Sequence, residues 1–258
     1  MWTYSLDPVL LSLGGLEIRW YGVIFAFGFL LGLFFLLHSR RELGLDTDGV
    51  YDLLFYLMLG TILGARLFHV FFWEPVYYLA HPLHVLFLWK GGFAFHGGLV
   101  GIIVAGWLYC RKKNIAFLKV TDVLTVPALI GLGLGRIGNF INGELVGTVT
   151  TVSWCVDFGD GLCRHPYVLY SSLKRFALAG LLYGLQRSFV FTEGFLFYIM
   201  IFFIGLGRFF LDFFREDMLY LGLSVGQWMS LIMIFFGFFI LHNKYQEDIK
   251  KVFNSRNI

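Results

Sequence analysis

Three arginines, Arg66, Arg136 and Arg208, stand inside otherwise apolar stretches of this sequence, and His96 stands beside a glycine pair in another. A guanidinium is planar, keeps its charge and offers paired N–H donors to paired oxygens, which suits it to phosphate. An imidazole titrates near neutrality and can take a proton from a thiol or hydroxyl nucleophile. These types together suggest anion binding with a proton acceptor at hand. For His96 taken alone, a base and a satisfied structural histidine are both open readings. Tyr21, at the start of the first apolar stretch, and Asn139, Asn142 and Glu144, just beyond Arg136, add polar groups.

What can hold such residues follows from composition. Of 258 residues 58% are hydrophobic and only 14% charged, where a soluble domain carries about a quarter charged. Aromatic residues make up 20%, with 31 Phe, as expected of a lipid-facing exterior with interfacial belts. The sequence therefore reads as all-α, a polytopic membrane helical bundle of about seven spans with a small extracytoplasmic head. The expected spans are Trp20 to His38, Leu53 to Trp73, a part of Leu83 to Cys110, Val123 to Phe140, Tyr167 to Phe191, Gly194 to Phe214 and Leu221 to Leu241. Leu83 to Cys110 is too long for one straight span, so Leu83 to Trp89 is expected to be interfacial or re-entrant. Lys174, Arg175 and Arg187 interrupt the fifth stretch. Residues 1–258 read as one transmembrane domain, with 142–166 as the head and 243–258 as a short polar tail.

Loop Lys and Arg set the orientation. Arg40, Arg41, Arg111, Lys112, Lys113, Lys119, Arg187, Lys244, Lys250, Lys251 and Arg256 fall to one face, against Arg19, Lys90, Arg164 and Arg215 on the other. The N-terminus is therefore expected outside and the C-terminus in the cytoplasm. The first residues lack a basic segment followed by an apolar core, so the first span is expected to direct insertion. At about 1.5 Å per residue, Arg66 and Arg136 lie about 20 Å, and Arg208 about 21 Å, from the inner ends of their spans. His96 and Tyr21 come to a similar level from the outer ends. An unpaired charge there costs at least ~2.5 kcal/mol. A single arginine would be read as snorkelling, or as paired with Asp212 or Glu144. Three at one level with a histidine read as an anion site, and a lipid headgroup is the anion found at that depth.

Other patterns carry less. The net charge of +3 points to no nucleic acid. Gly133, Gly135 and Gly138 match a dinucleotide fingerprint formally, but they follow no strand and sit in an apolar span. Cys110, Cys155 and Cys163 form no metal or redox motif. Cys155 and Cys163 share a loop, and a bridge and two free thiols are both open. A permease using the arginines to hold an anionic solute is the competing class, but no inverted repeat supports it.

The run Arg136-Ile137-Gly138-Asn139-Phe140-Ile141-Asn142-Gly143-Glu144, followed by Gly147, closely resembles the signature of the bacterial prolipoprotein diacylglyceryl transferases. Arg19-Trp20-Tyr21-Gly22, Gly64-Ala65-Arg66-Leu67, His96-Gly97-Gly98-Leu99 and the stretch from Arg208-Phe209 through Asp212 to Arg215 resemble further motifs of that family. The resemblance implies transfer of a diacylglyceryl group from phosphatidylglycerol to the lipobox cysteine of a prolipoprotein, in the bacterial cytoplasmic (inner) membrane. It implies phosphatidylglycerol, the prolipoprotein signal peptide and membrane lipids as partners, and neither metal nor soluble cofactor. It assigns catalytic roles to His96, Arg136, Arg208 and Tyr21. Arg136, Asn139, Glu144, Gly147 and Arg208, with Arg66 and Arg215 in a second tier, would bind the lipid. The chain departs from the family pattern at Ile204, where a tyrosine is usual, and at Thr148, where an arginine is usual. In His165-Pro166-Tyr167-Val168-Leu169-Tyr170-Ser171 the usual glutamine and glutamate are absent, and Lys174 and Arg175 follow.

Overall fold

The computed structural model describes residues 2–14 and 16–254; Arg256, counted above with the inner-face cations, lies outside them. The chain begins with β1 (Trp2–Thr3), β2 (Val9–Leu13) and β3 (Leu16–Arg19). Then come α1 (Trp20–His38), α2 (Thr47–Phe68) continued by a π-helical turn at His69–Trp73, and α3 (Pro75–Ala80). Two 3-10 turns, Pro82–Leu86 and Leu88–Lys90, precede α4 (Phe95–Lys113) and α5 (Phe117–Ile141). After β4 (Val156–Asp157) follow α6 (Tyr167–Ser188) and α7 (Phe195–Leu211), the latter continued by a 3-10 turn at Asp212–Phe214. The hairpin β5 (Leu219–Tyr220) and β6 (Leu223–Ser224) leads into α8 (Val225–Lys244) and α9 (Gln246–Asn254).

Five of these helical stretches are long and apolar enough to cross a membrane: α1, α2 with its π turn, α5, α7 with its 3-10 turn, and α8. The helices α4 and α6 have 19 and 22 residues, but cations close the one and interrupt the other. The chain is a polytopic helical membrane protein. Several helices start elsewhere than hydropathy suggests. The α2 helix begins at Thr47, six residues before Leu53, because Asp46 caps it by accepting from the Gly49 amide at 2.7 Å. The α5 helix begins at Phe117. The α8 helix begins only at Val225, where Ser224 and Gln227 form a reciprocal capping box, and Leu221 instead occupies the hairpin turn at φ 53°. Leu83 to Cys110 is indeed broken, with Gly91 and Gly92 at positive φ between the 3-10 turns and α4.

The molecule divides into two compact units, Gly32–Val120 and Met1–Leu31 with Thr121–Ile258. In the first, α2 and α4 touch backbone to backbone. A Cβ on Gly64 would lie 2.3 Å from the Gly97 carbonyl oxygen, and one on Gly101 would lie 2.0 Å from that of Gly60. Small residues one turn apart on both helices permit this approach, the packing that membrane helices use in place of a hydrophobic driving force.

In the second unit, β1 pairs in parallel with β4. This brings Trp2 onto the Phe140 ring (centroids 5.6 Å) and Tyr4 onto Phe158 (5.6 Å), over the end of α5. Cys155 and Cys163 are bridged, with Cα atoms 5.3 Å apart. Arg164 donates to Asp160 at 2.6 Å, to the Gly147 carbonyl at 3.2 Å and to Glu216, so the 147–164 loop is tied to the chain that leaves α7. At the other end of α7, the Asp122 carboxylate of α5 accepts from the amides of Gly194 (2.6 Å) and Phe197 (2.9 Å), which lack intrahelical partners.

Candidate active site

The signature residues are arranged by the way α5 ends. Gly143 takes φ +69°, and its amide donates to Phe140 O while that of Glu144 donates to Asn139 O at 2.9 Å. This is a Schellman close, with Asn142 as the C-cap and Gly143 as the left-handed residue after it. The reversal returns Glu144 to the last turn of α5. There Glu144 Oε2 accepts from Asn139 Nδ2 at 2.8 Å and Oε1 from Asn142 Nδ2 at 3.0 Å. Asn139 Oδ1 accepts from Arg136 Nη1, one turn earlier, at 3.3 Å. Arg136, Asn139, Glu144 and Asn142 thus form one hydrogen-bonded series. Among the described residues Asn139 is the only hydrogen-bond partner of Arg136, which leaves most of its fork unused.

Arg208 lies in the last turn of α7, and its Nε pairs with Asp212 Oδ2 at 3.3 Å. The Asp212 side chain is fully buried and also accepts from the Tyr167 hydroxyl at the start of α6. Arg215 stacks over the Tyr167 ring at 5.9 Å and pairs with Asp217 at 3.5 Å. Gly147 forms a β-bridge with Arg215, and a Cβ there would lie 2.3 Å from His165 O. It therefore lets the 147 strand pass between two other backbones. Tyr21, in the first turn of α1, packs on Gly138, where a Cβ would lie 3.0 Å from its ring. Arg136 interacts electrostatically with Arg208, Arg215, Tyr167 and Tyr21. The second unit therefore brings together Tyr21, Arg136, Asn139, Glu144, Gly147, Arg208 and Arg215, at or near helix ends. Sequence reasoning offered Asp212 only as an alternative partner for a lone arginine, and it missed Tyr167 as the second donor to that carboxylate. The i, i+4 spacing from Arg208 to Asp212 was the available signal.

The first unit holds His96 and Arg66. His96, in the first turn of α4, lines a cavity of about 440 Å³ with His69, Trp73, Glu74, Phe93, Ala94 and Phe95. Across it His69 Nε2 lies 3.7 Å from Glu74 Oε1. Arg66 is 3% exposed and donates from Nε to Val85 O (3.0 Å), from Nη1 to Gly91 O (2.5 Å) and Gly92 O (3.2 Å), and from Nη2 to His84 O (2.6 Å) and Phe87 O (3.4 Å). All five guanidinium N–H groups have a carbonyl, and the plane stacks on Tyr78 at 5.1 Å. This arginine holds the 84–92 segment and has no donor left for a phosphate. Among the described residues no group of three or more His, Cys, Asp or Glu gathers at metal-binding distance.

Arg136 and Arg208 each keep guanidinium donors unspent, and such forks recognise paired phosphate oxygens. Comparison with known proteins identifies the family. The sequence profile of the family described as prolipoprotein diacylglyceryl transferase matches residues 8–242. The chain is 43% identical to the phosphatidylglycerol–prolipoprotein diacylglyceryl transferase of Nitrosomonas europaea, over 95% of this chain and 92% of that protein. It is 43% identical to the enzyme of the same name from Geobacter sulfurreducens, over 90% and 93%, and 38% identical to that of Chloroherpeton thalassium, over 95% and 94%. With the profile covering nearly its whole length and relatives this close, the chain belongs to the prolipoprotein diacylglyceryl transferase family.

Proposed function

We propose that this chain transfers the sn-1,2-diacylglyceryl group of phosphatidylglycerol to the lipobox cysteine thiol of prolipoproteins. The reaction forms a thioether, releases glycerol 1-phosphate and is the first step of lipoprotein maturation. The observation that carries the reading is that Arg136 and Arg208 each keep guanidinium donors to spare, in a chain of this family. The thiolate attacks C3 of the lipid glycerol, and the C3–O bond breaks toward the phosphate. Arg136 and Arg208 grip the phosphate and stabilise the charge that grows on it as it leaves. His96 takes the thiol proton, since the thiolate is the nucleophile. Asn139 and Glu144 orient Arg136 and the headgroup hydroxyls, and Tyr21 closes the headgroup region. Gly147 acts by letting the loop backbone approach, and Arg215 by flanking Tyr167. Arg66 is assigned to holding its own loop.

The same reading places the chain in the bacterial inner membrane as a single transmembrane transferase domain. Its N-terminus and the 142–166 head face outward, and the 243–258 tail lies in the cytoplasm. A Cys155–Cys163 bridge suits a loop on the oxidising side. The test is release of glycerol 1-phosphate by detergent-purified protein given phosphatidylglycerol and a lipobox peptide. Arg136→Ala and His96→Gln are each expected to abolish it. Full activity in Arg136→Ala would sink the phosphate grip, and full activity in His96→Gln would remove the base assignment.

A further inference from the structure

Lys174 and Arg175 of α6 have no part in the reaction as drawn. Arg175 is 5% exposed. Its Nη1 donates to Ser171 O at 2.7 Å and to the Ser171 hydroxyl, while its buried Nε has no partner among the described residues. The Lys174 stem crosses α7 at Gly207, where a Cβ would lie 2.3 Å from Cδ and 3.1 Å from Nζ. Its Nζ lies 3.5 Å from Ile204 O. Gly207 thus makes room for the lysine stem on α7, immediately before Arg208. Both cations interact electrostatically with Arg136, Arg208 and Asp212.

The charges here do not balance. Arg136, Arg175 and Arg208, with Lys174 beside them, share one buried carboxylate, Asp212, and among the described residues only Arg208 is ion-paired with it. Excess positive charge on buried and half-buried side chains is costly and favours an anionic guest. The phosphodiester of the proposed substrate carries one negative charge. When the thiolate pair forms the C–S bond, the C3–O pair passes to the phosphate oxygen and the proton stays on the base. The leaving phosphate monoester then carries two negative charges. Positive charge in excess of one matches the departing group better than the bound substrate, the condition for raising rate rather than affinity.

We propose that Lys174 and Arg175 extend the Arg136–Arg208 phosphate grip so that it selects a doubly charged phosphate monoester over a singly charged phosphodiester. This rests on the proposed reaction. In the full-length protein, Lys174→Met keeps most of the stem and removes the charge. Inhibition by glycerol 1-phosphate and kcat are expected to fall about tenfold or more, while KM for phosphatidylglycerol and inhibition by glycerophosphoglycerol, a phosphodiester, move less than about threefold. Gly207→Ala displaces the lysine without removing it and should give the same selective loss, smaller in size. Equal weakening for monoester and diester, or no change in either, in a variant that melts like the wild type, overturns the proposal. A merely structural lysine would lower stability and both affinities together. If the wild type releases no glycerol 1-phosphate, the reaction assignment fails separately. The ratio of the two ligands' affinities, titrated on wild type and Lys174→Met, still decides the charge match.

Discussion

Replacing Arg66 by alanine removes the donors that hold the carbonyls of His84, Val85, Phe87, Gly91 and Gly92. A hydrogen bond to a charged group contributes about 1.5–3 kcal/mol, so the three contacts at 3.0 Å or less alone would sum to roughly 4.5–9 kcal/mol. That sum is an upper bound, because the 84–92 segment can peel away and give its carbonyls to water or headgroups. Local opening then caps the global loss. Breaking a buried charge network typically costs about 3–5 kcal/mol, and we take that range. At about 2–4 °C per kcal/mol for a chain of this size, Tm should fall by roughly 6–20 °C.

The assay is thermal unfolding in detergent, with hydrogen exchange read over 84–92 and steady-state kinetics on the same preparation. The expected pattern is a large fall in Tm, fast exchange confined to that segment, and a lower active fraction with KM for phosphatidylglycerol little changed. Arg66→Lys should fall between, since an ammonium has three donors and no fork. An Arg66→Ala protein with normal Tm and exchange, but with KM raised tenfold or more, would refute the reasoning and return this arginine to the headgroup.

Three other outcomes follow from the second unit. Gly143→Ala forces a Cβ into φ +69°, at about 1 kcal/mol, and loosens Glu144 from Asn139; Tm should drop a few degrees and kcat fall, while Gly143→Asn is better tolerated. Replacing both Cys155 and Cys163 by serine opens a loop with a sequence separation of 8, worth about 2.5 kcal/mol, and should lower Tm and remove the cross-linked peptide from a non-reducing digest. The Arg164 side-chain hydrogen bond, then the Leu162 amide, hold the Asp160 carboxyl below the usual carboxylate range. With the folded value depressed, its stabilisation is present above the unfolded value and lost as pH falls through the folded one, so Asp160→Asn should flatten the Tm profile below about pH 4.

How legible each part was depends on the range of the interaction that makes it. The α1 helix runs from Trp20 to His38 as hydropathy alone suggests, because nothing but apolar surface defines it. The Arg136–Asn139–Glu144 series is local, and an eight-residue run already contains the arginine, the cap and the left-handed glycine. The β1–β4 pair was not legible. It joins two residues at each of two places more than 150 positions apart, and neither place has a strand pattern of its own. The start of α2 was hidden for the opposite reason. Its first turn is polar and is fixed by the Asp46 cap, to which hydropathy is blind. The placement of Lys174 beside Arg208 was hidden because α6 reads as a poor span, and only Gly207 shows that the lysine stem lies against α7.

Residue type and depth placed Arg66, Arg136 and Arg208 in one class, and donor geometry separates them. Arg66 has a carbonyl for every N–H and is therefore satisfied whether or not a substrate is present. Arg136 spends one contact on Asn139, and Arg208 one on Asp212, each directed along the helix end that carries it. A half-buried guanidinium with donors unspent favours an anionic guest. Its half-satisfied state stores the preference for that guest, and the fixed partners hold the fork in position before binding. In the proposed grip, Asn139 and Asp212 fix the forks that the two arginines present. Asp212→Asn keeps the shape and an acceptor for Tyr167 while removing the charge, so it should leave the fold in place and still lower kcat, because Arg208 would lose the anchor that aims it.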